Sequence, residues 1–517
     1  MGTRNNRWAI LAVLCLSVFL VVVDNTIVNV ALPSLQRNLH ASTSALQWIV
    51  DGYSLPFAGL LLAGAGLADR LGRKRVMQVG LLLFGLFSVG AAFSTSTAEL
   101  IVFRALMGAS AAFVFPSTQS ILTVAFPNSN ERAKAFGIWG AVSGLAVAFG
   151  PITGGALINH FWFGSVFLVN VPLVALALGL GWYLLPESTS PTTRPIDLLG
   201  LVLGTAGVTA LVLAIIQGPN WGWRSVNTLG LFAAAGVLLV SFTRHELRRE
   251  QPLLDVRMFT RGSFSGGAGG IGLAFFNLFG FIFLVTQYFQ DVRGLDALSA
   301  GVHTLPFALT TMVAMPLAAV LALKVGVRYV VVTGVVLMAV GIGWMATLDA
   351  HAAFFGPVIA SMMIMAVGFS LINPPSTAAI MGSLDPQQIG AGSAVNSVTR
   401  ELGGTLGVAV LGSVFSSVFA PGITTLFAPY ANHLPAGTMA LATGSVEAAQ
   451  QVARQISAHL PSAVAQHVAL THHVTGLFMR SFHRACAVTA SVAVVGAAAI
   501  YLPLPRVPAS KETVGFE

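Results

Sequence analysis

Charged residues are scarce in this chain: Asp, Glu, Lys and Arg fill only 9% of its 517 positions. Soluble domains carry about 25% charged residues, so this scarcity excludes an ordinary soluble protein. Hydrophobic residues make up 55%, and they form continuous Leu-, Ala-, Val- and Gly-rich runs. Such runs predict membrane-spanning helices, because barrel strands would alternate apolar and polar residues.

Lysine and cysteine are also rare. None of the four lysines follows a glycine, which excludes a Walker A loop and ATP hydrolysis by that route. No catalytic triad or metalloprotease motif is present, so we expect a protein that is not an enzyme and has no cofactor or metal. The two cysteines lie inside predicted spans and are interpreted as packing residues. The net charge of +8 forms no basic stripe, which argues against a nucleic-acid partner.

The hydrophobic runs predict fourteen spans, and therefore two termini on the same side of the membrane. The predicted spans are 8–33, 46–68, 76–95, 98–122, 134–157, 163–185, 197–217, 226–243, 264–288, 299–320, 327–347, 352–374, 395–417 and 474–503. With both termini inside, 18 of the 26 Lys and Arg residues fall in inner segments. The positive-inside rule thus predicts cytoplasmic termini.

The expected fold class is all-α: a polytopic membrane protein with two six-helix bundles and an inserted helix pair. We assign 1–190 to the first bundle, 191–262 to the inserted pair and its cytoplasmic linker, and 263–517 to the second bundle. The segment 418–473 is predicted to be one long extracytoplasmic loop. Within it, apolar residues at helical spacing over 446–460 predict a surface helix lying on the membrane.

A charged turn lies between spans two and three, where 66–75 contains four cations and one carboxylate. It is predicted to be a tight cytoplasmic turn. Its key residues are Gly66, Asp69, Arg70, Gly72, Arg73 and Lys74. The segment 323–328 resembles it weakly in a corresponding place, which indicates two duplicated bundles around a central pathway.

Ionisable residues inside spans are the first candidates for function. Asp24 in span one is a candidate proton carrier, since a carboxylate in mid-membrane must be protonated, paired or hydrated. The alternative is a solvated Asp near the outer interface. Arg104 in span four needs a partner, and Asp24 is one candidate. Glu401 opens span thirteen beside Arg400, and it is either a transport residue or part of a cytoplasmic end cap.

Span five is rich in glycine around one proline. The residues Gly150, Pro151, Gly154 and Gly155 predict close helix approach together with a bend. The two interpretations are a helix that flexes between the bundles and a tight static packing surface.

Phenylalanine and methionine are frequent in spans nine to twelve, with polar residues interspersed. Soft, adaptable side chains suit a promiscuous apolar pocket. The predicted pocket residues are Asp51, Asn277, Phe279, Met312 and Asn373.

The turn at 66–75 closely resembles the loop two–three motif of the major facilitator superfamily. Further segments resemble motifs of its fourteen-helix drug:proton antiporter branch, namely 24–33, 104–109, 150–155, 167–172 and, with less agreement, 400–404. The resemblance implies proton coupling through Arg104, cytoplasmic gating by Asp69 and Arg70, and export, which the span-five motif marks. The second charged turn departs from the pattern, since Leu323 stands where the first has Asp69.

Together these observations predict a proton-coupled antiporter that exports hydrophobic, often cationic small molecules by alternating access. One alternative is an exporter of one specific metabolite or self-made antibiotic, and a less favoured one is a non-transporting membrane sensor. The expected partners are small-molecule substrates, protons and the lipid bilayer. The expected location is a bacterial plasma membrane, with the chain as a monomer.

Overall fold

The computed structural model describes residues 7–39, 43–189, 197–249, 252, 254–385, 388–434, 438–444, 446–458 and 463–504, and the regular structure in these ranges is entirely helical. The helices up to the inserted pair are α1 (Arg7–Leu39), α2 (Thr43–Leu71), α3 (Arg73–Ala92), α4 (Thr97–Ala125), α5 (Ser129–His160), α6 (Ser165–Leu168), α7 (Asn170–Leu184), α8 (Leu198–Trp221) and α9 (Val226–Arg248). Those that follow are α10 (Gly262–Gln287), α11 (Ala297–His303), α12 (Leu305–Val325), α13 (Val327–Met345), α14 (Ile359–Gly382), α15 (Ile389–Phe427), α16 (Thr438–Gly444), α17 (Val446–Ala458) and α18 (Ala463–Tyr501).

Fourteen stretches in the described ranges are long and apolar enough to cross a membrane, which confirms the predicted number. Two spans are each built from two α-helices: α6 and α7 together form the sixth, and α11 and α12 form the tenth. The two cysteines are buried and free, in agreement with a packing role.

The predicted long loop at 418–473 is wrong in large part, because much of it is helical. Helix α15 continues to Phe427, and Phe419, Ile423 and Phe427 continue its buried face at four-residue spacing. This extension packs against α18, where the Phe415 and Phe478 rings meet at 5.3 Å. Packing against a neighbouring helix therefore carries α15 beyond the length that hydropathy alone indicates.

The predicted surface helix exists as α17, but its apolar face does not lie on the membrane. Val446, Ala449, Val452, Ala453 and Ile456 are buried, and α17 packs against α16 and α18. The predicted end of this helix at residue 460 lies outside the described residues. The amphipathic pattern was correct, and the protein itself supplies the apolar partner surface.

Glycine lets neighbouring spans approach closely. A Cβ on Gly108 of α4 would overlap the backbone carbonyl of Tyr53 on α2, and a Cβ on Gly64 would overlap that of Ala112. Apolar burial provides little drive for helix association in lipid, so such close backbone packing is a main source of cohesion.

The two charged turns share one backbone conformation. Gly72 and Gly326 have φ angles of 108° and 103°, and each immediately precedes a helix, α3 or α13. Residues with a Cβ rarely adopt this left-handed region. The structure therefore supports the internal repeat inferred from 69–74 and 323–328.

The inserted pair α8–α9 lies against α2 and α15. A Cβ on Gly59 of α2 would overlap the hydroxyl of Thr209 on α8. Trp223, between α8 and α9, donates from Nε1 to Ser413 Oγ on α15 at 2.7 Å. The inserted pair thus contacts α2 of the first bundle and α15 of the second bundle.

A hydrogen-bond cluster closes the other end of the inserted pair. Asp197 accepts from the Gly200 amide at 2.9 Å, and its second oxygen lies 2.7 Å from His245 Nε2 and 3.6 Å from Arg249 Nε. Glu246 accepts from the Leu254 amide at 3.0 Å. Asp197, His245 and Glu246 are also close enough together to hold a metal ion, and Asp197 and His245 are hydrogen-bonded to each other.

We expect Gly108→Ala to lower the free energy of unfolding by about 1–3 kcal/mol, because the added methyl forces α2 and α4 apart. The measurement is the thermal unfolding midpoint of the purified protein in detergent. Gly179→Ala on α7 is the matched control, since a Cβ there meets nothing within 4 Å. Equal midpoints for the two variants would contradict this role for Gly108.

The Asp197 cluster predicts an acid-sensitive junction. Burial alone raises the pKa of the Asp197 carboxyl, but the Gly200 amide, His245 and Arg249 outweigh it and hold this pKa below its ordinary value. The stabilisation is therefore complete above the unfolded pKa of about 3.9 and is lost as the pH falls through the lower folded value. The difference in unfolding midpoint between wild type and Asp197→Asn should be largest at neutral pH and vanish in acid. A difference that grows in acid would contradict the lowered pKa of Asp197. Asp385→Asn, which changes an exposed carboxylate, is the control.

Candidate functional site

A buried ion pair joins α1 to α4. Arg104 Nη1 lies 2.6 Å from Asp24 Oδ2, and the two side chains are 1% and 0% exposed. Arg104 is therefore paired with Asp24, as the sequence predicts. The alternative of a solvated Asp24 at the outer interface is wrong for this structure, because the carboxylate is fully enclosed.

Further polar groups satisfy the pair. Asn170 donates to Asp24 Oδ1 at 2.7 Å and to Ser88 Oγ at 3.0 Å. Arg104 Nε donates to the Ile49 carbonyl at 3.1 Å, and its guanidinium carbon lies 4.4 Å from the centre of the Tyr53 ring. Such extra hydrogen bonds are what allow two opposite charges to be buried without water.

Sequence reasoning did not select Asn170, Ser88 or Tyr53. The available signal was Asn170, a polar residue inside an apolar run and inside the 167–172 motif. Its fully buried position shows that this motif contributes directly to the environment of Asp24.

The predicted antiporter motif packs α5 against two other helices. A Cβ on Gly150 would overlap the Thr26 hydroxyl on α1, and one on Gly154 would come within 2.8 Å of Ile27. On another side, a Cβ on Gly155 would lie 3.2 Å from Leu298, and one on Gly301 of α11 would lie 3.1 Å from Pro151. The motif therefore joins the helix that carries Asp24 to the second bundle.

The charged turn also joins the two parts of the chain. Arg73 donates to Asp69 Oδ1 from Nε at 2.9 Å and from Nη2 at 2.7 Å. A Cβ on Gly390, in the first turn of α15, would overlap the Asp69 carboxylate. A carboxylate at a helix N-terminus is favoured by the helix dipole. The two residues to which the resemblance assigns gating therefore have different surroundings. Asp69 contacts α15, whereas Arg70 is exposed.

Glu187, after the end of α7, holds the beginning of α3. Its carboxylate accepts from the backbone amides of Lys74 at 3.1 Å and Arg75 at 3.2 Å. A Cβ on Gly72 would come within 2.6 Å of that carboxylate, so Gly72 serves both the turn and this approach. Gly66 lies six residues before Gly72, near the end of α2, and is half-buried.

Arg400 and Glu401 lie about three turns into α15, inside a candidate membrane span, and form no cytoplasmic end cap, so the alternative interpretation is wrong. Arg400 Nη2 donates to Ser143 Oγ on α5 at 2.8 Å. Glu401 is half-buried, and its carboxylate has no hydrogen bond and no cation within 4.0 Å among the described residues. Asp24 is therefore a paired carboxylate inside a membrane span, whereas Glu401 has no ion pair in the described part of the chain.

The predicted pocket residues lie on four helices, α2, α10, α12 and α14, and differ in exposure. Asn277 and Asn373 are 1% and 4% exposed, and Asp51 is half-buried on α2. Phe279 packs at the α10–α15 contact, where a Cβ on Gly404 would lie 3.2 Å from its ring. Met312 is 41% exposed beside the exposed apolar residues Leu309 and Val313 of α12, and its place in a pocket stays a prediction.

Polar contacts between α4 and α15 were missed from the sequence. Asn396 Nδ2 donates to Gln119 Oε1 at 3.0 Å, and Ser120 Oγ donates to Ser393 Oγ at 3.0 Å. All four residues are buried. The signal was the polar run 117–120 within an apolar span.

Comparison with known proteins agrees with this architecture. The chain matches the family model described as Major Facilitator Superfamily over residues 14–408. It is 34% identical over 499 residues to the multidrug efflux pump LfrA of Mycolicibacterium smegmatis, covering 96% of this chain and 97% of that protein. It is 33% identical to the methyl viologen resistance protein SmvA of Salmonella typhimurium, covering 88% and 90%. It is also 33% identical to the tetracenomycin C resistance and export protein of Streptomyces glaucescens, covering 80% and 77%.

Solved structures share the fold at low sequence identity. The human organic anion transporter MFSD10 superimposes with a TM-score of 0.57 at 14% identity, covering 93% of this chain and 99% of that one. The proton:xylose symporter XylE gives a TM-score of 0.55 at 16% identity, covering 78% and 88%. With the family match over most of its length and relatives aligned almost end to end, this multi-pass membrane protein belongs to the Major Facilitator Superfamily of transporters.

Proposed function

We propose that this protein exports hydrophobic, often cationic small molecules in exchange for protons. The observation that carries the proton-coupled part is the Glu401 carboxylate, which lies inside a membrane span, beside the contact between the two bundles, and has no ion pair in the described part of the chain. A carboxylate at that depth without a cation partner is a site where a proton can be taken up and released. The names of three relatives, one a multidrug efflux pump and two resistance proteins, support drugs as the cargo.

Asp24 and Arg104 would contribute in a different way from Glu401. The Arg104 guanidinium stabilises the charged form of Asp24, so this carboxylate can accept a proton only when the pair separates. Gly150 and Gly154 bring α5 to the same part of α1, so a relative movement of these helices would disturb the pair. Glu401 would then be the principal proton carrier, with Asp24 protonated in a second conformation.

The proposed arrangement in the membrane follows the sequence analysis. The bundles comprise 1–190 and 263–517, the inserted pair lies in 191–262, and both termini face the cytoplasm of a bacterial cell. The Asp69–α15 contact and the contacts from Gln119 and Ser120 would then close the cytoplasmic end. The chain would act as a monomer, with Asp69 and Arg73 forming the gate.

A narrower function is the second candidate. Two relatives are named for single compounds, the tetracenomycin C resistance and export protein and the methylenomycin A resistance protein of Bacillus subtilis. An exporter of one metabolite or antibiotic would share the same proton chemistry. Competition among unrelated cations for transport separates the two, because a broad exporter is inhibited by all of them.

Glu401→Gln should abolish transport that is driven by a proton gradient, because the amide cannot carry the proton. Purified protein in liposomes with an imposed pH gradient should move ethidium no faster than empty liposomes. Ethidium counterflow at equal pH should persist, since exchange of substrate alone needs no proton. Glu447→Gln on the exposed side of α17 is the control, and gradient-driven transport by Glu401→Gln would disprove its role.

Asp24→Asn should lower the free energy of unfolding by about 3 kcal/mol, because it leaves the Arg104 charge buried without a counter-ion. The Asp24→Asn/Arg104→Met double variant should recover most of this loss. Thermal unfolding in detergent measures both effects, and ethidium efflux from cells with and without a protonophore measures function. We expect the single and the double variant both to lose efflux. Normal efflux in the double variant would show that the pair has only a structural role.

A further inference from the structure

The Arg400 guanidinium is surrounded by aromatic rings. Its central carbon lies 4.2 Å from the centre of the Phe275 ring, 4.9 Å from that of Phe115 and 5.9 Å from that of Trp139. Each distance is within the range in which a cation is attracted to the face of a ring. We call these three rings the aromatic cage.

The cage is shared by the two bundles. Phe115 and Trp139 belong to α4 and α5, whereas Phe275 belongs to α10 and Arg400 itself to α15. Arg400 follows the start of α15 by about 17 Å along the helix axis, inside the stretch of this helix that is apolar enough to cross a membrane. The centre of the membrane between two repeated bundles is where transporters of this architecture contact their cargo.

Few polar contacts accompany the aromatic cage around the Arg400 guanidinium. No carboxylate oxygen in the described chain lies within 4.0 Å of Arg400, and its hydrogen bond there is the one to Ser143. The other N–H groups of the guanidinium have no protein acceptor in those residues. Arg400 is also only half-buried, whereas the three rings are 2–3% exposed. The rings are thus enclosed, whereas part of the Arg400 side chain is exposed.

The aromatic cage contains one further polar group. The indole Nε1–H of Trp139 is buried and makes no hydrogen bond within the described part of the chain. Buried polar groups are nearly always satisfied, so this indole N–H is available to an acceptor atom on the uncharged part of a bound molecule. Ser143, on the same face of α5, is released when Arg400 leaves.

We propose that the aromatic cage is the subsite for the cationic part of a transported organic cation, and that Arg400 is its resident occupant, which the substrate displaces. This inference rests on the proposed function. Rings that already hold a delocalised, weakly hydrated guanidinium suit planar organic cations of similar charge density. Substrate and Arg400 would occupy the same ring faces, so they exclude each other. The neighbouring Glu401 supplies a negative charge on the same helix for the displaced guanidinium.

The test is ethidium binding to the full-length protein in lipid nanodiscs, followed by ethidium fluorescence anisotropy. Arg400→Met removes the competing cation but keeps a side chain of similar length, and it should tighten ethidium binding about tenfold, the effect of one cation–π contact. Phe275→Leu should weaken binding about tenfold, in both the wild-type and the Arg400→Met backgrounds. Phenanthridine, an uncharged ring system of related shape, should gain nothing from Arg400→Met.

Phe369→Leu is the matched control for Phe275→Leu. The Phe369 ring meets Phe275 edge-on at 5.3 Å and is equally buried, but it is not over Arg400. Ethidium affinity should remain unchanged in this variant. Equal losses in the two variants would mean that Phe275 acts only through packing.

A second readout does not depend on removing the arginine. Ethidium bound in the cage should quench the Trp139 fluorescence, and Trp139→Phe should remove that saturable component while the other tryptophans remain. Quenching that survives Trp139→Phe unchanged would overturn the subsite. The same holds for unchanged or weaker ethidium binding in a folded Arg400→Met protein.

Failure of the proposed function looks different from failure of this inference. If wild type moves ethidium under a pH gradient while the cage variants bind it as wild type does, export stands and the subsite is wrong. If wild type neither binds nor moves ethidium or any competing cation, export of cations is wrong and the subsite falls with it.

Discussion

A charge inside the hydrocarbon layer must be neutralised, paired or hydrated, and this requirement organises the functional part of the structure. Asp24 and Arg104 satisfy it by pairing, with Asn170 and Tyr53 completing the enclosure. Arg400 satisfies it with aromatic faces instead of a carboxylate. Glu401 satisfies it least, which is why the proton-carrying role is assigned there. The four ionisable residues thus meet the same electrostatic requirement in three different ways.

The spans and the Asp24–Arg104 pair could be predicted because both follow from strong penalties. A run of about 20 apolar residues has few alternatives to a membrane helix, and two lone opposite charges in lipid need each other. The ends of α15 could not be predicted, since contact with α18 extends the helix beyond the apolar run. The surroundings of Met312 could not be predicted for a related reason: lipid-facing and pocket-facing surfaces are both apolar, so residue type alone does not distinguish them.

The polar contacts between distant helices could not be predicted from local pattern either. Gln119 and Asn396 are far apart in sequence, and nothing in either segment specifies the other. Their pairing is set by how the bundles meet. The repeat, in contrast, was visible because Gly72 and Gly326 occupy a backbone conformation that few other residues tolerate. The absence of an Asp at 323 leaves the contact between Asp69 and α15 without a counterpart at that position of the second turn.

The contacts between the bundles differ in kind at the two ends of the molecule. Near the charged turn they are polar: Asp69 with the start of α15, and Gln119 with Asn396. Around Gly155 and Leu298 they are apolar and close. Water that enters a polar contact replaces its hydrogen bonds, so separation there costs little net free energy. Separating the apolar contact exposes hydrophobic surface, at about 25 cal/mol per Å². Opening on the two sides is therefore opposed by different forces, and an exporter needs a driving ion most at the end where apolar surfaces must part.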